Sequence, residues 1–373
     1  MDARLVNRAL RVPHRAVWLY VARERNMNGA PASDPLRSPA EFMLMVRGLT
    51  RAKRTAMVPG LIAQARARYS GDPLWEQTIR HVVAHLIPGF HAPMLHDTAR
   101  NTVYREALIN LAPGKTVLDI GTGSGLLAMM AVRAGAAHVY ACEANVILAA
   151  AAKDAIAANG MSEQITVFAQ HSTDLDRERD LKGGVDLVVS EILADDLLGE
   201  AMLPSLEHAR NALCLPDAVF VPGRVWAQTA LANYSGFTDE SSAEVEGFDL
   251  SAHTSLLSRQ ASVKANHSEL QLLSSPATAF AFDFGMDKPH AATDSQQVTV
   301  TAHAGQANAI AQWIGFECAS GHAYENAPGT AEGMHWRVQL TPIAPLRLEQ
   351  GQAVTIEAHR DQLGMVLNLA QQS

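Results

Sequence analysis

Hydrophobic positions along the chain change their spacing twice, and each change marks a different kind of structure. In the first stretch they recur at helical intervals behind capping residues. "SPAEFMLMVRGL" offers Ser38 as N-cap, Pro39 at the first helical position and Glu41 three residues after the cap. "DPLWEQTIRHVVAHLIP" repeats the arrangement with Asp72, Pro73 and a closing Pro88. Between about residues 100 and 222, short continuous apolar runs ("KTVLDI", "HVYACE", "QITVFA", "VDLVVSE") alternate with helical ones ("LLAMMAVRAG", "NVILAAAAKDAIAANG", "MLPSLEHARNAL"). That alternation predicts a parallel sheet covered on both faces. After "VPGRVWAQTALA" the period drops to two, in runs such as "AFAFDF", "QVTVTAHA", "AIAQWIGFEC" and "AVTIEAHR". These predict an antiparallel sandwich or barrel, with the boundary near Pro222-Gly223.

Bulk composition narrows the class. With 373 residues, two or three domains are expected; 48% apolar and 18% charged residues exclude a disordered chain. No apolar run approaches the roughly 20 residues of a membrane span. Cys142, Cys214 and Cys318 are few and far apart, which fits a reducing, cytoplasmic setting, and no paired Cys or His spacing offers a metal site. Charge is uneven. Residues 1–70 hold 13 Lys/Arg against 4 Asp/Glu, and the rest of the chain holds 17 against 34. The basic segment reads as a solvated helical face ahead of a nucleic-acid contact, and the acidic remainder suits a cationic partner.

Two stretches carry candidate chemistry. "VLDIGTGSGLL" sets Gly121, Gly123 and Gly125 between a strand and a helix, where a ligand can approach the backbone at the helix N-terminus. Glu143 ends the next strand 22 residues after Gly121, in position to hold ribose hydroxyls. The loop reads GxGxG, with no second unit of its kind, which sets it apart from dinucleotide folds. The second stretch, "SEILADDLLGE" (190–200), follows a buried strand and gathers Glu191, Asp195, Asp196 and Glu200 with no base among them.

Together these stretches resemble the class I S-adenosylmethionine-dependent methyltransferases, and within them the protein arginine N-methyltransferases. Glu191 and Glu200 have the nine-residue spacing of that family's double-Glu hairpin. "MLHDTARN" (94–101) looks like its segment ahead of the cofactor domain, "GMHWRVQ" (333–339) like its Thr-His-Trp loop and "GFDLS" (247–251) like part of its dimerisation arm. "HSTD" and "LLGEAMLPSLEHA" look most like the branch that stops at monomethylarginine. The resemblance implies a helical N-terminal extension (1–90), a Rossmann-like S-adenosylmethionine-binding domain (91–222) and a β-barrel substrate domain (223–373) with a dimerisation arm near 235–260. It also implies a homodimer acting on an arginine-containing protein or peptide.

Carried over by position, Arg100 would pair with the cofactor carboxylate and His91 and Met94 would line its methionine end. Gly121, Gly123 and Gly125 would cradle it, Glu143 would bind ribose, and Ser172 and Thr173 would meet the adenine. Asp119 would close the first motif, or serve only as a turn acceptor. Glu191 and Glu200 would grip the substrate guanidinium, with His335 and Trp336 closing the pocket; a His beside a Trp is also a common core pair. Asp195 and Asp196 would contact a second basic residue of the substrate, or form a solvated hairpin tip. The chain departs from the family twice. "HVVAH" (81–85) stands where a Tyr-Phe-x-x-Tyr helix is normal, with Trp75 and Phe90 the nearest aromatic substitutes, and Met334 replaces a Thr. Both changes touch the substrate side. They leave open a relative acting on a small guanidino compound or specialised peptide, or a catalytically weak binding protein.

Overall fold

The computed structural model describes residues 34–237, 244–254, 256–257, 260–285, 289–318, 321–330 and 334–370. Residues 1–33, the first part of the basic segment, and Gly333 of the His-Trp loop lie outside the described residues, as does part of the expected arm.

The two capping arrangements form as the sequence expects. Ser38 Oγ accepts from the N–H of Glu41 ahead of α1 (Pro39–Arg51), and Asp72 Oδ1 accepts from Leu74 and Trp75 ahead of α3 (Pro73–Val83). With α2 (Val58–Arg68) between them, these helices bury Phe42, Leu49, Leu61, Trp75 and Ile79 in one cluster. Ile147, from a helix of the next domain, joins that cluster, so the helical region is seated on the neighbouring fold.

After α4 (His91–Leu95) and α5 (Thr98–Leu111), the chain enters a five-stranded, fully parallel sheet. Its strands are β1 (Thr116–Ile120), β2 (His138–Cys142), β3 (Ile165–Phe168), β4 (Val185–Ser190) and β5 (Cys214–Val221). The spatial order is β3-β2-β1-β4-β5. Almost every residue of β1, β2 and β4 is buried, which is why these strands read as continuous apolar runs. Helices α6 (Leu126–Arg133), α7 (Val146–Ala158) and α8 (Met202–His208) complete the unit. Strand order reverses at β1. There the loops leaving β1 and β4 lie side by side, because Ile120 and Ser190 are register partners.

The remaining strands are antiparallel. β6 (Arg224–Tyr234), β9 (Ala261–Lys264), β10 (Leu270–Leu272), β11 (Ala277–Asp283), β13 (Gly305–Glu317), β14 (Ala323–Glu325) and β15 (Arg337–Leu348) make one sheet. β12 (Asp294–Thr301), β16 (Ala353–Arg360) and β17 (Met365–Leu369) make a second, bridged to the first at Ser274 and Ala302. Ile310, Ile314 and Phe316 of β13 pack into the core shared with the parallel sheet, whereas Ala311 and Trp313 face a separate cluster with Val338 and Leu340. The two-residue strands β7 (Glu244–Val245) and β8 (Phe248–Asp249) form a hairpin within the expected arm. Among the described residues no helix is long and apolar enough to cross a membrane.

Candidate active site

The loop leaving β1 is held open by its backbone. Gly121 has φ +74°, and a Cβ there would lie 2.5 Å from Ile192 Cγ2, on the loop leaving β4. Only glycine fits both the left-handed conformation and the close approach. Glu143, at the end of β2, ties the loop down: its Oε2 accepts from Gly123 N–H (3.0 Å) and its Oε1 from Asn145 N–H (2.8 Å). Asn145, which caps α7, donates from Nδ2 to the carbonyl of Leu86 and so fastens the helical region to the same corner.

Beneath the loop, Asp119 Oδ2 accepts from Thr122 Oγ1 (2.5 Å) and Ala128 N–H (3.1 Å). Its carboxyl is fully buried, and burial pushes its pKa up to about 7. Asp119 therefore braces the turn, the second of the two roles open to it, and is not among the residues lining the cavity above. Gly125 also stays out of that cavity, as the left-handed N-cap of α6. Thr173 faces solvent, bonded to His171 Nδ1.

The cavity over the loop measures about 400 Å³, and His91, Met94, Arg100, Gly121, Gly123, Glu143 and Ser172 all line it. Three buried polar atoms here have no partner: Arg100 Nε, Ser172 Oγ and Gln170 Nε2. Burial lowers the pKa of His91, whose ring lies beside Gly123. A nucleoside with an attached carboxylate matches these free donors and hydroxyls.

The acidic loop is anchored at several points. Tyr104 OH donates to Ser190 O (2.9 Å), Trp336 Nε1 to Leu193 O (2.6 Å), and Arg337 N–H to Asp195 Oδ1 (2.8 Å). Asp195 Oδ2 also accepts from Gln339 Nε2, and Asp196 Oδ1 caps Gly199 N–H. Glu191 is buried and pairs with Arg100 at 2.7 Å. Burial raises its carboxyl pKa even though the Arg100 guanidinium opposes the shift. Glu200 stands at the mouth of the loop; desolvation, reinforced by Glu191 and its other acidic neighbours, pushes it up to about 7. A second, open cleft of about 1010 Å³ contains all four acids together with Met334, His335 and Trp336. Glu191, Glu200 and Phe90 line both cavities, so the two meet at the paired glutamates.

Sequence reasoning assigned no role to Asp97, and the structure makes it central. It is fully buried; Oδ1 caps α5 by accepting from Arg100 N–H (2.9 Å). Oδ2 accepts from Tyr324 OH, His335 N–H and His335 Nδ1, each at 3.0 Å. Desolvation works to raise its pKa, but these hydrogen bonds, led by that from His335, outweigh it and hold the carboxyl below its ordinary value. The signal available beforehand was local: an Asp three residues before Arg100 is an N-cap. Of the two candidate aromatics, Phe90 sits at the site, stacked on His91, while Trp75 is stacked on Tyr69 inside the N-terminal helices.

Residues 96–211, which take in β1 to β4 of the parallel sheet, match the family described as ribosomal protein L11 methyltransferase (PrmA). Over 279 residues the chain is 37% identical to an arginine N(omega)-methyltransferase of Streptomyces achromogenes subsp. streptozoticus, covering 72% of this chain and 75% of that protein. The chain belongs to the arginine N-methyltransferase family. A protein arginine N-methyltransferase 7 of Oryza sativa subsp. japonica is 32% identical over 281 residues; the match takes in 68% of this chain but 38% of that longer protein. The Trypanosoma brucei PRMT1 enzyme–prozyme heterotetrameric complex with AdoHcy shares the fold, with a TM-score of 0.67 at 24% identity, over 76% of this chain and 94% of that one. Arabidopsis thaliana protein arginine methyltransferase 10 does so at a TM-score of 0.62 and 20% identity, over 77% and 97%.

Proposed function

We propose that this arginine methyltransferase places one methyl group on a terminal nitrogen of an arginine in a protein or peptide and stops at monomethylarginine. The observation that carries the reading is the meeting of two cavities at Glu191 and Glu200, one over a nucleotide-type loop and the other open and acidic. When bound, S-adenosylmethionine supplies an electrophilic methyl group on sulfonium. Arg100, with its free Nε, would hold its carboxylate; Glu143 would hold the ribose, and Ser172 and Gln170 would hold the base.

A guanidinium remains protonated at neutral pH, and its planar fork matches paired carboxylates. Glu191 and Glu200 would draw its positive charge away from one terminal nitrogen and leave that lone pair free to attack. Orientation at the junction supplies much of the rate. Methylation makes the proton on that nitrogen acidic, and the Glu200 carboxyl, pushed up to about 7, is an acceptor in the same cleft. His335, fixed by Asp97, and Trp336, fixed by Leu193 O, would close the pocket. Asp195 is committed to β15 and Asp196 to the hairpin, so a second basic group of the substrate would meet only their remaining lone pairs.

A homodimer built through the arm is supported by exposed Val245, Phe248, Leu256 and Leu257; light scattering giving a fully active monomer would remove it. The free, buried thiols of Cys142, Cys214 and Cys318 support a cytoplasmic setting. The direct test is fragment mass spectrometry of arginine-containing peptides incubated with the protein and S-adenosylmethionine. A one-methyl gain on arginine, with no second methyl under excess enzyme, is expected. A dimethyl product would refute the product assignment, and transfer to no guanidine would refute the function.

A further inference from the structure

The acidic cleft has a basic, donor-bearing wall away from the cofactor cavity. Gln312 sits on β13 between Ile310 and Ile314, on the core-facing side of the sheet, and lines the cleft. It is 6% exposed, and its Nε2 is buried without a hydrogen-bond partner. Its register partner on β6 is Thr229, whose buried Oγ1 is equally unpartnered. Gln312 therefore brings an unsatisfied amide donor to a residue that lines the cleft.

On the same side, Arg337 of β15 and Lys264 of β9 are direct register partners, and both line the cleft. Like charges opposite each other across a strand pair repel. Nothing in the described residues forms a salt bridge to Lys264, and the Arg337 side chain donates to the carbonyl of Ser262. The nearby Asp195 carboxylate is already engaged by Arg337 N–H and Gln339 Nε2. That one carboxylate stands against two cations, so the wall has room for a second anion.

We propose that Lys264, Arg337 and Gln312 form a carboxylate subsite, and that the preferred substrate is an arginine whose own main-chain carboxylate is free. This rests on the arginine-methylating reading and refines its substrate. The two glutamates hold the guanidinium at the junction, and the basic wall holds the other end of the same residue. Two sources supply that chemistry: free L-arginine and an arginine at the C-terminus of a peptide.

The test uses the full chain with S-adenosylhomocysteine for calorimetry and with S-adenosylmethionine for turnover. The ligands are L-arginine, agmatine (which lacks the carboxylate), and one peptide ending in arginine as free acid or as amide. L-arginine should bind at least about tenfold more tightly than agmatine, the worth of a charge-assisted hydrogen bond. Lys264→Met, an exposed change, should remove most of that preference while leaving agmatine unaffected. Gln312→Leu should act in the same direction. Preference for the free-acid peptide over its amide would include C-terminal arginine as a source; preference confined to L-arginine would assign the free amino acid. Equal binding of L-arginine and agmatine, or equal losses for both in Lys264→Met, would overturn the subsite while methylation of agmatine left the arginine-methylating reading standing. If no guanidine is bound or methylated, that reading falls and takes the subsite with it.

Discussion

Removing the carboxylate of Asp97 should unlock the site from its base. Four donors converge on it: Arg100 N–H at 2.9 Å and Tyr324 OH, His335 N–H and His335 Nδ1 at 3.0 Å. Arg100 and Tyr324 are themselves buried, so water does not replace the lost acceptor easily. A buried donor left unpaired costs about 1–3 kcal/mol. The losses share one site and do not add fully, which places Asp97→Ala at about 4 kcal/mol of destabilisation, near the upper end for single substitutions. Asp97→Asn keeps one carbonyl oxygen. With that oxygen toward Tyr324 and His335, only the cap to Arg100 is lost, at about 1–2 kcal/mol. Because the folded-state pKa of Asp97 lies below its ordinary 3.8, its contribution is present above that value and fades as pH falls through the lower, folded one. Urea unfolding followed by tryptophan fluorescence at pH 7 and again near pH 3 measures both effects. An Asp97→Ala protein within about 0.5 kcal/mol of the parent at pH 7 would refute the account, since that is the range of an uninvolved surface position.

Gly121→Ala meets Ile192 Cγ2 at 2.5 Å and carries a φ of +74°, so it should lower the melting temperature and weaken S-adenosylhomocysteine binding by calorimetry. Adding Ile192→Ala should recover the part due to the clash and leave the part due to backbone strain. Glu200 takes up a proton as pH falls through about 7, so guanidinium binding should weaken from pH 8 to 6 in the parent, and the pH profile should flatten in Glu200→Gln. The same raised pKa means that the charged carboxylate opposes folding, so Glu200→Gln should melt higher than the parent above pH 7. Glu200→Gln should also abolish methyl transfer while leaving cofactor affinity nearly unchanged; loss of cofactor binding would remove Glu200 from the substrate side. Trp336→Phe deletes the 2.6 Å bond to Leu193 O and should cost about 1 kcal/mol in stability, with a fall in kcat/KM larger than that in cofactor affinity.

Local chemistry was legible in the chain itself. Ser38 and Asp72 cap their helices because capping needs only residues three positions apart. The glycines after β1, Glu143 after β2 and the glutamates after β4 announce themselves because a strand end, a tight turn and a spacing of nine residues are all properties of short segments. What the sequence left undecided depends on contacts between distant segments. The order β3-β2-β1-β4-β5 sets the loop of Gly121 against Ile192, and no local pattern specifies that neighbour. Asp97 and His335 are 238 residues apart and meet only when the strands around β14 and β15 dock on α5. Asp119 had two open roles until its contacts placed it in the turn, and Trp75 and Phe90 looked equivalent until packing put one in a helical core and the other at the junction of the cavities. Burial and side-chain direction arise from the whole packed chain. Tertiary structure alone therefore decided which polar residues hold the site and which line its cavities.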